Sequence, residues 1–218
     1  MLQNKKNVFW EALIITIAIF LAGLFLGMML ETRSSNKISE LYISSEVNLA
    51  DASTLSKLIG SKDADCEITR EKSIEFANKI YEEARYLEQI ESSGKLTDSL
   101  KLLHRKYDLL RTLLWIGTSE SLENCNNFHS VVYLYEYETE DIEKKAKQNV
   151  WSRILFEEKG KNKNLILIPI AVDQDITSLN FLLSKYDLTQ FPSVLIDNKD
   201  KFFDQNELQK ALGGILED

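Results

Sequence analysis

The sequence predicts an α/β domain of order βαβαββα, carried behind an apolar helix and an α-helical stalk and hairpin. Three observations lead there. Ala12 to Leu30 is an uncharged run of about nineteen residues, the length that crosses a hydrocarbon core of roughly 30 Å. Two later stretches repeat apolar residues at helical spacing, a pattern that gives each helix one face to bury. Beyond Ser130, short β-rich runs alternate with helical ones, and Phe191-Pro192 stands at the threshold of Val194-Leu195-Ile196. Proline has no amide for a ladder, so at that place it marks a strand start, an edge or a cis turn.

At 218 residues with 44% hydrophobic content, the chain can hold one domain of usual size and something smaller. A formal charge of -8 argues against a nucleic-acid partner, because phosphate binding needs clustered Lys and Arg. Cys66 and Cys125 are the only cysteines, and His104 and His129 the only histidines. Zinc ligands come in close pairs, which this spacing lacks, so neither a metal nor a cofactor is expected. There is no Asn-x-Ser/Thr sequon.

Residues 1–11 read as a short cytoplasmic tail and 12–30 as a transmembrane helix. A cleaved signal peptide is the alternative, but those have shorter apolar cores and small residues at the exit, whereas this run leaves through Met28-Met29-Leu30-Glu31-Thr32-Arg33. Lys5 and Lys6 precede the span and Phe9 and Trp10 suit an interface, while Arg33 and Lys37 beyond it are offset by Glu31 and Glu40. The Lys/Arg rule leans toward a cytoplasmic N-terminus and a single-pass protein with its C-terminal part extracytoplasmic. Gly23 and Gly27 share a helix face at the spacing that lets membrane helices approach, which admits a homodimer; glycine is also simply common in such helices.

Residues 31–64 read as a helical stalk, with Ile43, Val47, Ala50 and Leu58 as a thin apolar stripe, ending in the loop Gly60-Ser61-Lys62-Asp63. Residues 65–126 read as a helical hairpin. In its first helix, Thr69 to Ile90, Phe76, Ala77, Ile80, Tyr81, Ala84 and Leu87 form one face, and Ser92-Ser93-Gly94 stops it. The second has Thr97 as N-cap, Leu96, Leu100, Leu103, Tyr107, Leu110 and Leu114 along one side, and Gly117 at its end. His104, beside Arg105 and Lys106, reads as exposed or satisfied by a partner. Cys66 precedes the first helix and Cys125 follows the second, and these two ends are neighbours in an antiparallel pair. A structural disulfide fits that geometry in an extracytoplasmic compartment; a redox-active pair is the alternative.

In residues 127–218, Val131 to Tyr137 reads as a strand, Glu140 to about Glu158 as a helix and Leu165 to Val172 as a second strand. A helix then runs to Tyr186, and Asp197-Asn198-Lys199-Asp200 has the chemistry to turn the next strand back through Lys201-Phe202-Phe203. Asp204, with Glu207 three residues on, is a capping box for a last helix packed through Leu208, Ala211, Leu212 and Ile215.

This order, with a proline before the third strand, resembles the thioredoxin-like fold superfamily over roughly Ser130 to Asp218. The family's enzymes carry Cys-x-x-Cys after the first strand, where a helix N-terminus lowers a thiol pKa. Glu138-Thr139-Glu140-Asp141 stands at that place here, and acids in a first helical turn are mostly capping groups. The resemblance also implies that Phe191, Pro192 and Ser193 form a prolyl turn that serves as a docking surface. Phe191 is bulkier than the Thr or Val common there, which suits filling the groove or anchoring a partner. The resulting expectation is a membrane-anchored thioredoxin-like protein without the catalytic dithiol and without enzymatic activity. Such a protein would act as a binding, scaffold or accessory module for another protein or membrane complex. The alternative is a membrane-tethered thiol-disulfide oxidoreductase using Cys66 and Cys125.

Overall fold

The computed structural model describes residues 5–59, 65–91, 98–122, 125 and 128–215. In chain order the elements are α1 (Lys5–Ile59), α2 (Cys66–Glu91), α3 (Asp98–Leu122), β1 (His129–Tyr135), α4 (Ile142–Lys161), β2 (Leu165–Ala171), α5 (Thr177–Lys185), β3 (Ser193–Ile196), β4 (Asp200–Phe202) and α6 (Gln205–Ile215). The chain is mixed α/β and divides into two compact units, residues 1–44 and 45–218. The loop Gly60 to Asp63, the stop Ser92-Ser93-Gly94, Leu96 and Thr97 lie outside the described residues, as do the side chains of Lys5, Lys6, Ala12, Leu30, Glu31, Arg33, Lys37 and Ile215.

In the first unit, Phe9–Met29 is a stretch of α1 long and apolar enough to cross a membrane. Its described side chains are exposed, which is the arrangement lipid tails can cover. Gly23 and Gly27 have open space where a Cβ would stand.

The second unit is built on a four-stranded sheet of order β2-β1-β3-β4. β1 is parallel to β2 and antiparallel to β3, and β3 returns as β4. The return is tight: Asp197 and Asn198 have φ of 49° and 59°, and the Lys199 N–H donates to the Ile196 carbonyl at 3.0 Å. Two central residues with positive φ match the twist of a hairpin, and Asp and Asn tolerate that region best among non-glycines. On one sheet face Val131, Tyr133, Leu165, Leu167, Val194 and Ile196 pack with Trp151 and Leu155 of α4 and Leu208 and Leu212 of α6. Asp204 caps the start of α6 as expected, its carboxylate accepting from the Asn206 and Glu207 amides.

Strand and helix ends shift from the sequence expectation for local reasons. β1 starts at His129, whose N–H donates to the Asn164 carbonyl at 2.9 Å. It stops at Tyr135, because the Tyr137 amide that would continue the strand donates to the Asp173 carboxylate instead. α4 begins only after Asp141, since that side chain is its N-cap, accepting from the Glu143 and Lys144 amides at 2.9 and 3.1 Å. It continues past Glu158 to Lys161, where Lys159 and Lys161 suit the negative end of the helix dipole.

β2 is an edge strand that α2 and α3 help to bury. The Val172 amide donates to Tyr135, so along β2 the amides of alternate residues point to β1 and those of Leu165, Leu167, Pro169 and Ala171 point away. Pro169 has no amide to leave unpaired. The Leu165 amide finds the Asn162 carbonyl at 3.3 Å, and the Ala171 amide finds the Asp108 carboxylate of α3 at 3.2 Å.

The apolar face expected for α2 is buried at Phe76, Ala77, Ile80, Ala84 and Leu87, and that of α3 at Leu100, Leu103, Tyr107, Leu110 and Leu114. One expectation fails nearby, at Gly117. Ile43, Val47, Ala50 and Leu58 of α1 are exposed, as a solvated stalk allows, and among the described side chains of α1 the buried ones are Asn48 and Ala52. A polar group wins that face because the Asn48 amide donates to both oxygens of Glu83 at 2.8 and 2.9 Å, so its burial leaves nothing unpaired. Gly117 does not end α3, which runs on to Leu122. It lies where the Ser56 backbone comes so close that a Cβ would stand 3.3 Å from its Cα. Gly117 is therefore a contact residue between helices. Gly117→Leu is expected to destabilise the protein by about 1–3 kcal/mol through overpacking, read as a lower urea midpoint, although leucine is the better helix former.

Candidate functional site

The loop that follows β1 is held from four directions. Both oxygens of Asp173, after β2, accept from the Tyr137 and Glu138 amides at 3.0 and 2.8 Å. Gln148 of α4 clamps Glu136, accepting from its N–H and donating to its carbonyl, each at 2.9 Å. The Glu136 carboxylate takes Lys144 at 2.8 Å, and Glu138 takes Lys101 of α3 at the same distance. Asp141 caps α4, the Thr139 hydroxyl lies 3.4 Å from the Asp141 amide, and Glu140 is exposed. Glu136, Glu138 and Asp141 thus spend their charge on capping and ion pairs. His104 is buried with its ring 4.6 Å from that of Tyr137 and its Nε2 3.2 Å from the Tyr137 hydroxyl, which satisfies it.

The second set of predicted residues meets the first. Ser193 opens β3 opposite Leu134, so the antiparallel register puts the prolyl turn at the same end of β1 as the acidic loop. The Phe191-Pro192 peptide bond is cis. Pro192 and Ser193 are buried and Phe191 is half-buried.

Cys66 and Cys125 form a disulfide with a Cα separation of 5.5 Å. Asp65 starts α2 beside it, accepting from the Glu67 and Ile68 amides. The bridge lies before the first residue of β1, while the acidic loop and prolyl turn follow the last. A strand of seven residues separates them, roughly 20 Å at the usual rise. His129 also sits at the starting end of β1, with Nδ1 2.7 Å from Asp197, and does not approach the acidic loop.

Alongside that loop opens a cleft of about 290 Å³ between α2 and α4. Tyr133 and Tyr135 of β1 and Pro169 of β2 form its floor, and Tyr81 with Phe156 one wall. The Tyr81 and Phe156 rings lie 5.0 Å apart, and Tyr133 stacks on Tyr135 at 5.4 Å. The Tyr133 hydroxyl donates to the Gln148 carbonyl, which fixes the ring. Thr139 and Tyr137 reach the cleft from the acidic loop.

Behind the cleft Arg111 and Asp108, both buried, pair at 3.0 Å. Burial pushes the Asp108 carboxyl up to about 6, against the pull of the Arg111 charge and of the Ala171 amide. Among the described residues, no group of three or more His, Cys, Asp and Glu side chains is placed to hold a metal ion.

No family model, curated protein or solved structure matches the chain. The cleft was not foreseen from the sequence. Its signal was the alternation Tyr133-x-Tyr135-x-Tyr137, which places three phenols on one side of an extended chain. Arg111 and Asp108 carried a weaker signal, an i,i+3 charge pair within a leucine-rich helical stripe.

Proposed function

We propose that this chain is a membrane-anchored, thioredoxin-like protein without the catalytic dithiol, acting as a binding or accessory module for a protein or membrane complex. The observation that carries the reading is the placement of the cysteines. At the turn where the family's enzymes have a thiolate, this chain has carboxylates engaged in capping and ion pairs. Its only two cysteine sulfurs are joined to each other beyond the far end of β1. Thiol-disulfide exchange proceeds through a mixed disulfide, which a carboxylate cannot form. The strand order β2-β1-β3-β4, with one parallel and two antiparallel pairings and a prolyl turn before β3, supports the thioredoxin-like assignment.

An insulin-reduction assay on the purified chain is expected to match buffer, with Cys125→Ala changing stability and not a rate. Turnover by the parent that Cys125→Ala abolishes at unchanged folding would replace this reading with the oxidoreductase one. Membrane anchoring rests on Phe9–Met29, with the N-terminus cytoplasmic and residues 45–218 extracytoplasmic. Protease added outside sealed cells should then digest the chain beyond Glu31, whereas protection would reverse the orientation. Gly23 and Gly27 offer a close-packing face for a homodimer, for which the mass in detergent is the measurement.

A further inference from the structure

We infer that the cleft between α2 and α4 binds a neutral saccharide, one sugar ring lying on the aromatic floor with its hydroxyls bonded along α4. The inference goes beyond the reading above, since it assigns a small ligand and uses neither the cysteines nor the membrane span. The floor is aromatic and continuous. Tyr133 stacks on Tyr135, and Pro169 stands opposite Tyr133 in the β1 to β2 register. Tyr81 and Phe156 add a wall of two more rings. The faces of such rings are electron-rich. A pyranose offers the complement: one face of weakly positive C–H groups, and a rim of hydroxyls that both donate and accept. The volume of about 290 Å³ sits at the small end of ligand clefts, with room for one such ring and part of a second.

The polar lining suits that rim. Lys145, Gln148, Asn149 and Ser152 recur at i, i+3, i+4 and i+7, so one face of α4 presents them together. The Asn149 and Ser152 side chains make no hydrogen bond among the described residues. An amide and a hydroxyl in that condition supply both donors and acceptors, the mixture that a hydroxyl group requires. Arg85 spends one Nη on Glu82 and keeps further N–H donors, and the Glu136 carboxylate has acceptor sites beyond those that Lys144 fills. Charge points to a neutral ligand. Arg85 is paired with Glu82, Arg111 with Asp108 and Glu136 with Lys144, and the acidic loop adjoins the remaining cation, Lys145. An ion of either sign has little to gain there, whereas a polyol is held by hydrogen bonds and ring contact. A peptide strand cannot extend β2 here, because Pro169 supplies no amide and the Ala171 amide is already bonded to Asp108.

The test is saturation-transfer NMR with isothermal titration on the full chain, held in a detergent without a sugar headgroup, since a maltoside or glucoside would compete for the site. The probes are the methyl glycosides of glucose, galactose, mannose and N-acetylglucosamine and their β-1,4-linked homodisaccharides. At least one is expected to saturate with a Kd below about 10 mM, with transfer strongest to the C–H protons of one ring face. Tyr135→Ala and Ser152→Trp should each weaken that probe by about tenfold or more, the first by removing a floor ring and the second by filling the cleft. Tyr135→Phe, which keeps the ring, should stay within about threefold of the parent. Phe181→Ser, in the separate groove between α3 and α5, should leave affinity unchanged. Circular dichroism would establish the folding of each variant, and Asn149→Trp, at an exposed position of α4, replaces any cleft variant that fails. Absence of saturable binding by every probe, or undiminished binding in the folded cleft variants, overturns the assignment. Methyl glucuronide or methyl glucosaminide binding more than about tenfold tighter than methyl glucoside would overturn the neutral ligand. N-acetyltyrosinamide binding more tightly than every sugar would overturn the saccharide and assign the cleft to a planar aromatic ring. Each of these outcomes is separate from thiol turnover, which tests the module reading itself.

Discussion

Arg111→Met is expected to lower the unfolding free energy by about 3–5 kcal/mol at neutral pH, because it leaves the Asp108 charge buried without its counter-ion. That is a large share of the stability of an ordinary domain. The loss should be measured by urea unfolding at several pH values, since the pair also governs the acid side of the profile. Burial raises the Asp108 carboxyl from its ordinary 3.8 to about 6, so the native state binds this proton more tightly than the unfolded chain. The contribution of Asp108 to stability is therefore best below pH 4 and declines as pH rises from about 4 to about 6. In Arg111→Met the decline should be steeper and extend to higher pH, because the cation that favoured ionisation is gone. Asp108→Leu combined with Arg111→Met should recover most of the loss, less about 1–3 kcal/mol for the Ala171 amide left without an acceptor. A double variant no better than Arg111→Met alone would show that the buried charge is not the cause.

Cys125→Ala is expected to remove about 4 kcal/mol, from the chain-entropy estimate for a loop closed over a separation of 59 residues. Cys66→Ala should cost a similar amount, and the double variant little more, because either single change already breaks the bridge. Thermal melts with and without a thiol reductant check this. The parent should fall toward the variants on reduction, and the variants should not move. A parent indifferent to reductant would mean that the bridge adds nothing to the stability of residues 45–218.

The sequence discloses most of this fold because its elements are locally self-consistent. The capping box at Asp204, the Asp197-Asn198 turn and the leucine stripe of α3 each signal an element through chemistry within a few residues. The disulfide was legible for the same reason, since the ends of a helical hairpin are neighbours whatever surrounds them. The failures are tertiary. Asn48 is buried only because Glu83, far along the chain, meets both its donors. Gly117 reads as a helix stop until Ser56 is found against it, and β1 is cut short by an aspartate from the loop after β2. The acidic loop was legible from its own residues, Glu138, Glu140 and Asp141 in a short run. The cleft beside it was not, because it needs α2, α4 and the floor of the sheet to come together.

Pro169 was introduced as a residue with no amide to leave unpaired. For self-association, it works with Asp108 and Asn162 as a terminator. A growing β-assembly recruits each new strand through donors on the last one. Of the four outward amide positions on β2, Pro169 supplies no donor and two more are already bonded within the chain. The other border, β4, is three residues long, with Asp200 and Lys201 exposed, so it offers little template. The sheet is thus finite by construction, and copies of this protein that meet have to recognise one another mainly through side chains.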